Sequence, residues 1–190
     1  AKLLKMFKKK FAQNFLINKN ISQKIISFNK IKNKNILEIG PGNLALTDRI
    51  IKEKPKKFYS IEIDESLKKN YPDQIKKNII FDNALRINEY HLFNKEKFSI
   101  ISNLPFNISS ELLIKWLKIQ NEHKCINNMT LMFQKELADR IVAKPDTKKY
   151  GRLSIITNAF FKVDTMIIVN KENFVPMPKV DATVLNFTSL

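Results

Sequence analysis

Asn35-Ile-Leu-Glu-Ile-Gly-Pro-Gly-Asn-Leu-Ala45 decides the fold. A short, largely apolar run ends at Gly40, as a buried strand does. Gly40 and Gly42 let the backbone turn sharply and bring it close to a ligand without a Cβ in the way. The apolar spacing over residues 44–51 then predicts a helix. Strand, glycine turn and helix together open a βαβ unit, and in such sheets ligands bind outside the carboxyl ends of the strands.

The same alternation continues outward. Phe58-Tyr-Ser-Ile-Glu-Ile63, Asn78-Ile-Ile-Phe81, Phe98-Ser-Ile-Ile-Ser102 and residues 129–133 read as further strands. Helical spacing marks residues 22–28, 109–119, 135–142 and 151–159. Residues 161–169 and 182–187 are strands with no helical pattern between them, so they are expected to pair antiparallel. The expected architecture is therefore α/β: a Rossmann-like, mostly parallel seven-stranded sheet with an antiparallel last strand, in one domain of 190 residues. Residues 1–20 read as an arm docking on that domain.

Composition narrows the function classes. Hydrophobic residues make up 44% and charged residues 27%, a globular balance. No run approaches the ~20 apolar residues of a membrane span, so no membrane partner is expected. The single cysteine, Cys125, excludes an internal disulfide and fits a reducing, cytoplasmic compartment. His91 and His123 stand apart from other ligand types, so no metal site is expected. The net charge of +16 points to a polyanion such as nucleic acid. Only four of the 34 basic residues are arginine, a skew that AT-rich coding also produces, so charge alone does not settle the partner.

Glu62 lies 22 residues beyond Gly40, at the end of the next strand. That is close to the ~20 expected of an acid that takes ribose hydroxyls. A nucleoside cofactor follows, and both NAD and S-adenosylmethionine fit. Asn103-Leu-Pro-Phe106, directly after the fourth strand, decides between them. It has the form of the signature with which amino-methyltransferases draw an exocyclic amine toward tetrahedral geometry. Asn103 offers a side-chain carbonyl and Leu104 a backbone carbonyl. Pro105 fixes the turn and brings no competing N–H. Phe106 offers a face for a base. A nicotinamide oxidoreductase is disfavoured, because no proton donor is placed for hydride chemistry.

These motifs resemble the KsgA-type ribosomal RNA adenine dimethyltransferases, relatives of the Erm resistance methyltransferases. Six markers run in order: Phe11-Ala-Gln-Asn-Phe-Leu16, Glu38-Ile-Gly-Pro-Gly42, Asn103-Leu-Pro-Phe-Asn-Ile-Ser109, Gln134-Lys-Glu136, Tyr150-Gly-Arg-Leu-Ser154 and Phe174-Val-Pro-Met-Pro-Lys-Val-Asp181. The resemblance implies S-adenosylmethionine as cofactor and two methyl transfers to each of two adjacent adenosines near the 3′ end of small-subunit RNA. It implies a monomer acting on an immature ribosomal particle. Gln13, Asn14 and Leu16 resemble the arm that closes over the cofactor, and Gly40 the glycine beside its amino-acid end. Glu62 would hold the ribose, and Asp82 or Asn83 the adenine amine. Asn103, Leu104 and Phe106 resemble the target contacts, with Phe174 sandwiching the flipped base. Lys8, Lys9, Lys10 and Arg152 are expected to meet RNA.

The chain departs from this pattern where relatives often have a small residue and it has Leu44. It also has Asp82-Asn83-Ala84 in place of Asp-Ala, and Phe106 in place of Tyr. Relatives continue into a small helical RNA-docking domain that these residues do not contain, so normal cofactor binding with poor RNA binding is expected. Two alternatives remain: an Erm-type enzyme acting on large-subunit RNA, and a non-catalytic ribosomal RNA-binding assembly factor.

Overall fold

The computed structural model describes Phe11 and residues 13–190; Lys8, Lys9 and Lys10 lie outside the described residues. The parallel strands are β2 (Asn35–Ile39), β3 (Lys57–Glu62), β4 (Ile79–Phe81), β5 (Phe98–Asn103) and β6 (Ile126–Gln134). With β7 (Phe161–Val169) and β9 (Ala182–Ser189) they form one seven-stranded sheet in the order β4-β3-β2-β5-β6-β9-β7. The last strand, β9, slots between β6 and β7 and runs antiparallel to both. The expected sheet is thus the observed one.

The strands alternate their side chains between two covered faces. Leu37, Ile100, Met129, Leu131, Phe133, Leu185 and Phe187 point into one core. That core is closed by α5 (Ser109–His123), through Leu112, Leu113 and Trp116, and by α6 (Lys135–Ile141). Ile36, Ile101, Met132 and Val184 point the other way. There they meet α1 (Lys19–Ser27), α2 (Thr47–Lys52) and the arm residue Leu16. Burial on both faces is what a parallel sheet requires. The connecting helices α3 (Asp73–Lys76), α4 (Glu89–Leu92) and α7 (Arg152–Phe160) complete the layers.

Two features depart from the sequence reading. Residues 44–46 are not helical: Leu44 has φ 65°, a left-handed conformation that costs an L side chain about 1–2 kcal/mol. Its N–H closes a turn on the Pro41 carbonyl at 2.7 Å, and α2 begins only at Thr47. Leu44 packs against the small cluster of Leu67, Tyr71, Ile75 and Ile79, which offsets the strain. Second, the arm forms a strand, β1 (Phe15–Leu16), pairing antiparallel with β8 (Phe174–Val175).

Phe133 is fully buried between the sheet and α5 and touches the Phe187 ring at 6.1 Å. Phe133→Ala is expected to lower unfolding stability by about 3–5 kcal/mol, read as a reduced urea midpoint.

Candidate active site

The strand order reverses at β2, whose chain continues to β3 on one side while β5 lies on the other. Such a switch point opens a crevice at the carboxyl edge. Here it brings the glycine turn against the Asn103–Phe106 turn. The Ser102 hydroxyl donates to the Ile39 carbonyl at 2.6 Å, and a Cβ on Gly40 would sit 3.5 Å from the Pro105 ring. Gly40 and Gly42 have φ of 70° and 51°, so both positions need glycine's freedom. A Cβ on Gly42 would lie 2.9 Å from the Phe15 ring.

Residues from four segments line this cleft. Gln13, Asn14, Phe15 and Leu16 come from the arm, Gly40 and Gly42 from the first turn, Glu62 from β3, and Asn103 to Phe106 from β5. The arm is tied down by amide side chains. Gln13 donates to Asp64 at 3.1 Å, Asn14 to the Pro176 carbonyl at 2.8 Å, and Asn43 to the Leu16 carbonyl at 2.9 Å. The Asn103 amide donates to the Asn14 carbonyl at 3.2 Å. With its nitrogen so committed, Asn103 keeps its carbonyl oxygen as the acceptor to offer.

Glu62 is buried, and both its oxygens already accept backbone donors: Gly42 N–H at 3.3 Å and Asp64 N–H at 2.9 Å. Oε2 also has the Tyr71 hydroxyl at 3.5 Å, while Oε1 retains a second lone pair for a hydroxyl. Burial raises the Glu62 pKa above the usual carboxylate value. Tyr71 donates to the Gly42 carbonyl at 3.0 Å, bracing the same turn. Glu38, beneath the turn, accepts from Thr47 at 2.7 Å and Ser60 at 3.0 Å. Burial pushes its carboxyl up to about 7. Sequence reasoning missed Tyr71, and read Phe15, Glu38 and Asn43 only as parts of motifs. Their roles depend on contacts across the chain that no local pattern displays.

The other expected residues fall as follows. Asp82 follows β4, its N–H on the Glu62 carbonyl at 3.1 Å, so it borders Glu62. Its carboxylate accepts Asn83 N–H at 2.6 Å, and the Asn83 side-chain oxygen accepts Leu85 N–H at 3.0 Å. Phe106 is half-buried, at the junction of the cleft and an open groove between α5 and α7. Arg152, Arg140, Lys149 and Lys118 line that groove, with Gln134 and Glu136. Phe174 is 2% exposed and meets Phe106 edge-on, with centroids 6.4 Å apart and planes at 66°. Phe174 packs with Leu16, Ile25 and Ile26 at the inner side of Phe106. Cys125 is buried and its thiol is pushed up to about 11 by that burial, the state of an inert packing residue. Among the described residues no helix is long and apolar enough to cross a membrane, and no cluster of three or more His, Cys, Asp or Glu could hold a metal.

The parallel sheet, the glycine cradle and the carboxylate at the next strand end fit a nucleoside cofactor. With the Asn103–Phe106 turn they define an S-adenosylmethionine-dependent methyltransferase of the Rossmann-like class. The family model for ribosomal RNA adenine dimethylase matches residues 4–189, and the chain belongs to that family. It is 41% identical over 185 residues to ribosomal RNA small subunit methyltransferase A of Pelagibacter ubique, covering 95% of this chain and 70% of that one. It is 40% identical over 179 residues to the protein of the same name in Metamycoplasma arthritidis, covering 94% and 67%. Its fold matches a dimethyladenosine transferase from Plasmodium falciparum with TM-score 0.78 and 32% identity, over 93% of this chain and 63% of that one. The 23S rRNA methyltransferase ErmE shares the fold at TM-score 0.77 and 24% identity, over 93% and 70%.

Two outcomes follow from the cradle. Gly42→Ala is expected to weaken S-adenosylmethionine binding and loosen the arm, seen by calorimetry and by faster proteolysis ahead of Asn18. Because Glu38 has a raised folded pKa, the folded state holds a proton that the unfolded state loses. Its contribution to stability is fully present below about pH 4.5 and is lost as pH rises to about 7. Glu38→Gln is expected to flatten that decline, which reaches at most ~1.4 kcal/mol per pH unit, in denaturant titrations across the window.

Proposed function

We propose that this protein uses S-adenosylmethionine to dimethylate the N6 amino groups of two adjacent adenosines near the 3′ end of small-subunit ribosomal RNA. It acts as a monomer, in the cytoplasm, on an immature ribosomal particle. The observation that carries the reading is the Asn103–Phe106 turn held against the glycine cradle in a chain of the adenine dimethylase family. The small-subunit target is supported by relatives whose names specify that subunit; ErmE at 24% identity is a relative in fold alone.

The chemistry is mostly positioning. Bound S-adenosylmethionine supplies an electrophilic methyl carried on a sulfonium. The cleft residues Gly40, Gly42 and Glu62 would hold it, with the arm above. The adenine amine is a poor nucleophile because its lone pair is delocalised into the ring. Asn103 Oδ1 and the Leu104 carbonyl accept its two N–H groups and draw the nitrogen toward tetrahedral geometry. Pro105 keeps the two carbonyls in one turn. Phe106 stacks on the extruded base, worth about 1–3 kcal/mol. The methylated nitrogen is cationic and releases its proton to water, so no strong base is needed. Lys118, Arg140, Lys149 and Arg152 place positive charge along the groove that leaves Phe106, suited to the strand's phosphates.

The test uses labelled S-adenosylmethionine with small subunits lacking adenosine dimethylation, beside large-subunit RNA. Label is expected as N6,N6-dimethyladenosine in the small subunit only. Asn103→Ala is expected to lower turnover ~100-fold while cofactor binding changes far less. Label in large-subunit RNA would overturn the small-subunit assignment. Absence of label, with cofactor binding intact, would favour an assembly factor without catalysis.

A further inference from the structure

A buried acid outside the cleft lining plays no part in the methyl-transfer site described above. Glu89, at the start of α4, is 0% exposed. Its Oε1 accepts from the Lys115 ammonium at 2.7 Å and from the Trp116 indole N–H at 2.9 Å. Its Oε2 is buried with no hydrogen-bond partner. The same ammonium donates to the backbone carbonyls of Ala84 at 2.6 Å and Ile87 at 2.5 Å. An ammonium has three protons, and all three are spent on one segment, residues 84–89.

That segment continues the loop opened by Asp82 and Asn83. The placement of the cofactor follows from the strand order. The reacting methyl must face Asn103 at the end of β5, and the ribose acid, Glu62, ends β3. The cofactor therefore crosses the end of β2, and its base extends onward to the end of β4, where Asp82 donates its N–H to the Glu62 carbonyl at 3.1 Å. Lys115 lies on α5, the helix that starts just after the Asn103–Phe106 turn. One side chain thus ties the loop at the base end of the cofactor to the helix that follows the target turn.

Stability alone does not account for this arrangement. Sinking a carboxylate and an ammonium costs several kcal/mol each, and an apolar pair of similar volume is often as stable. What an ammonium adds is a fixed position for two carbonyls that no apolar side chain could hold. We propose that Lys115 is a positioning residue for the adenosine end of S-adenosylmethionine, setting the Asp82–Asn83 loop at a fixed distance from the target turn. The inference rests on the methyltransferase reading.

The experiment measures affinity for S-adenosylmethionine and for 5′-methylthioadenosine, which keeps the adenosine and lacks the amino-acid end. Lys115→Met alone strands the Glu89 carboxylate, so the informative variant is Lys115→Met with Glu89→Gln. It restores neutrality and keeps an acceptor for Trp116, yet leaves both carbonyls untied. Both ligands are expected to bind it about tenfold more weakly, by similar factors, while RNA affinity stays unchanged. Lys115→Arg, which keeps a cation within reach of the carbonyls, is expected to recover part of the loss. Wild-type affinity for both ligands in the double variant would overturn the inference, as would a parallel loss of RNA affinity, the mark of a generally loosened fold. If the unmodified chain binds neither ligand, the methyltransferase reading fails first and this inference falls with it.

Discussion

The contact on which the structure depends is the one between β2 and β5. These adjacent strands are far apart in sequence, and their carboxyl ends carry the glycine turn and the Asn103–Phe106 turn. The Ser102 hydroxyl on the Ile39 carbonyl fastens the two ends together just below those turns. If β5 paired elsewhere in the sheet, each turn would keep its local shape, and neither would face the other. The nucleoside cradle and the amine acceptors become one site only because the strand order changes direction between them.

Around that contact the polar groups are occupied chiefly with holding backbone. Glu62 accepts N–H groups from both Gly42 and Asp64, Tyr71 holds the Gly42 carbonyl, and Glu38 collects the hydroxyls of Thr47 and Ser60. A cradle with two residues at positive φ lacks regular hydrogen bonding of its own, so its shape must be imposed from below. Three buried side chains do this, at the electrostatic cost recorded in the raised pKa values of Glu38 and Glu62. The bracing contacts come from the protein itself, which suits catalysis by positioning.

Much of this was legible in the sequence because it follows from local patterns. The central strands announce themselves by apolar runs, and the two turns by residue types with few other uses. The spacing between Gly40 and Glu62 reflects the length of one strand-helix-strand unit. What stayed hidden depends on long-range pairing. Phe15-Leu16 is too short to show a strand period and becomes a strand only by meeting Phe174-Val175. Leu44 sits where a helix pattern and a left-handed turn compete, and the turn wins because its side chain finds an apolar cluster. The burial of Phe174 and its edge-on contact with Phe106 likewise follow from the fold and not from the motif. Asp82 and Asn83 both lie at the right strand end. Lys115 and Glu89 look like ordinary surface charges of a helical face, and only the fold reveals them as a pair whose acid is fully buried.

Asn103 is at once a latch and a reagent. Its amide nitrogen holds the arm at Asn14, and its carbonyl oxygen is the acceptor proposed for the target amine. An amide with no such partner is free to rotate and present either end. The hydrogen bond that fixes the arm therefore also settles which end of the Asn103 amide faces the cleft.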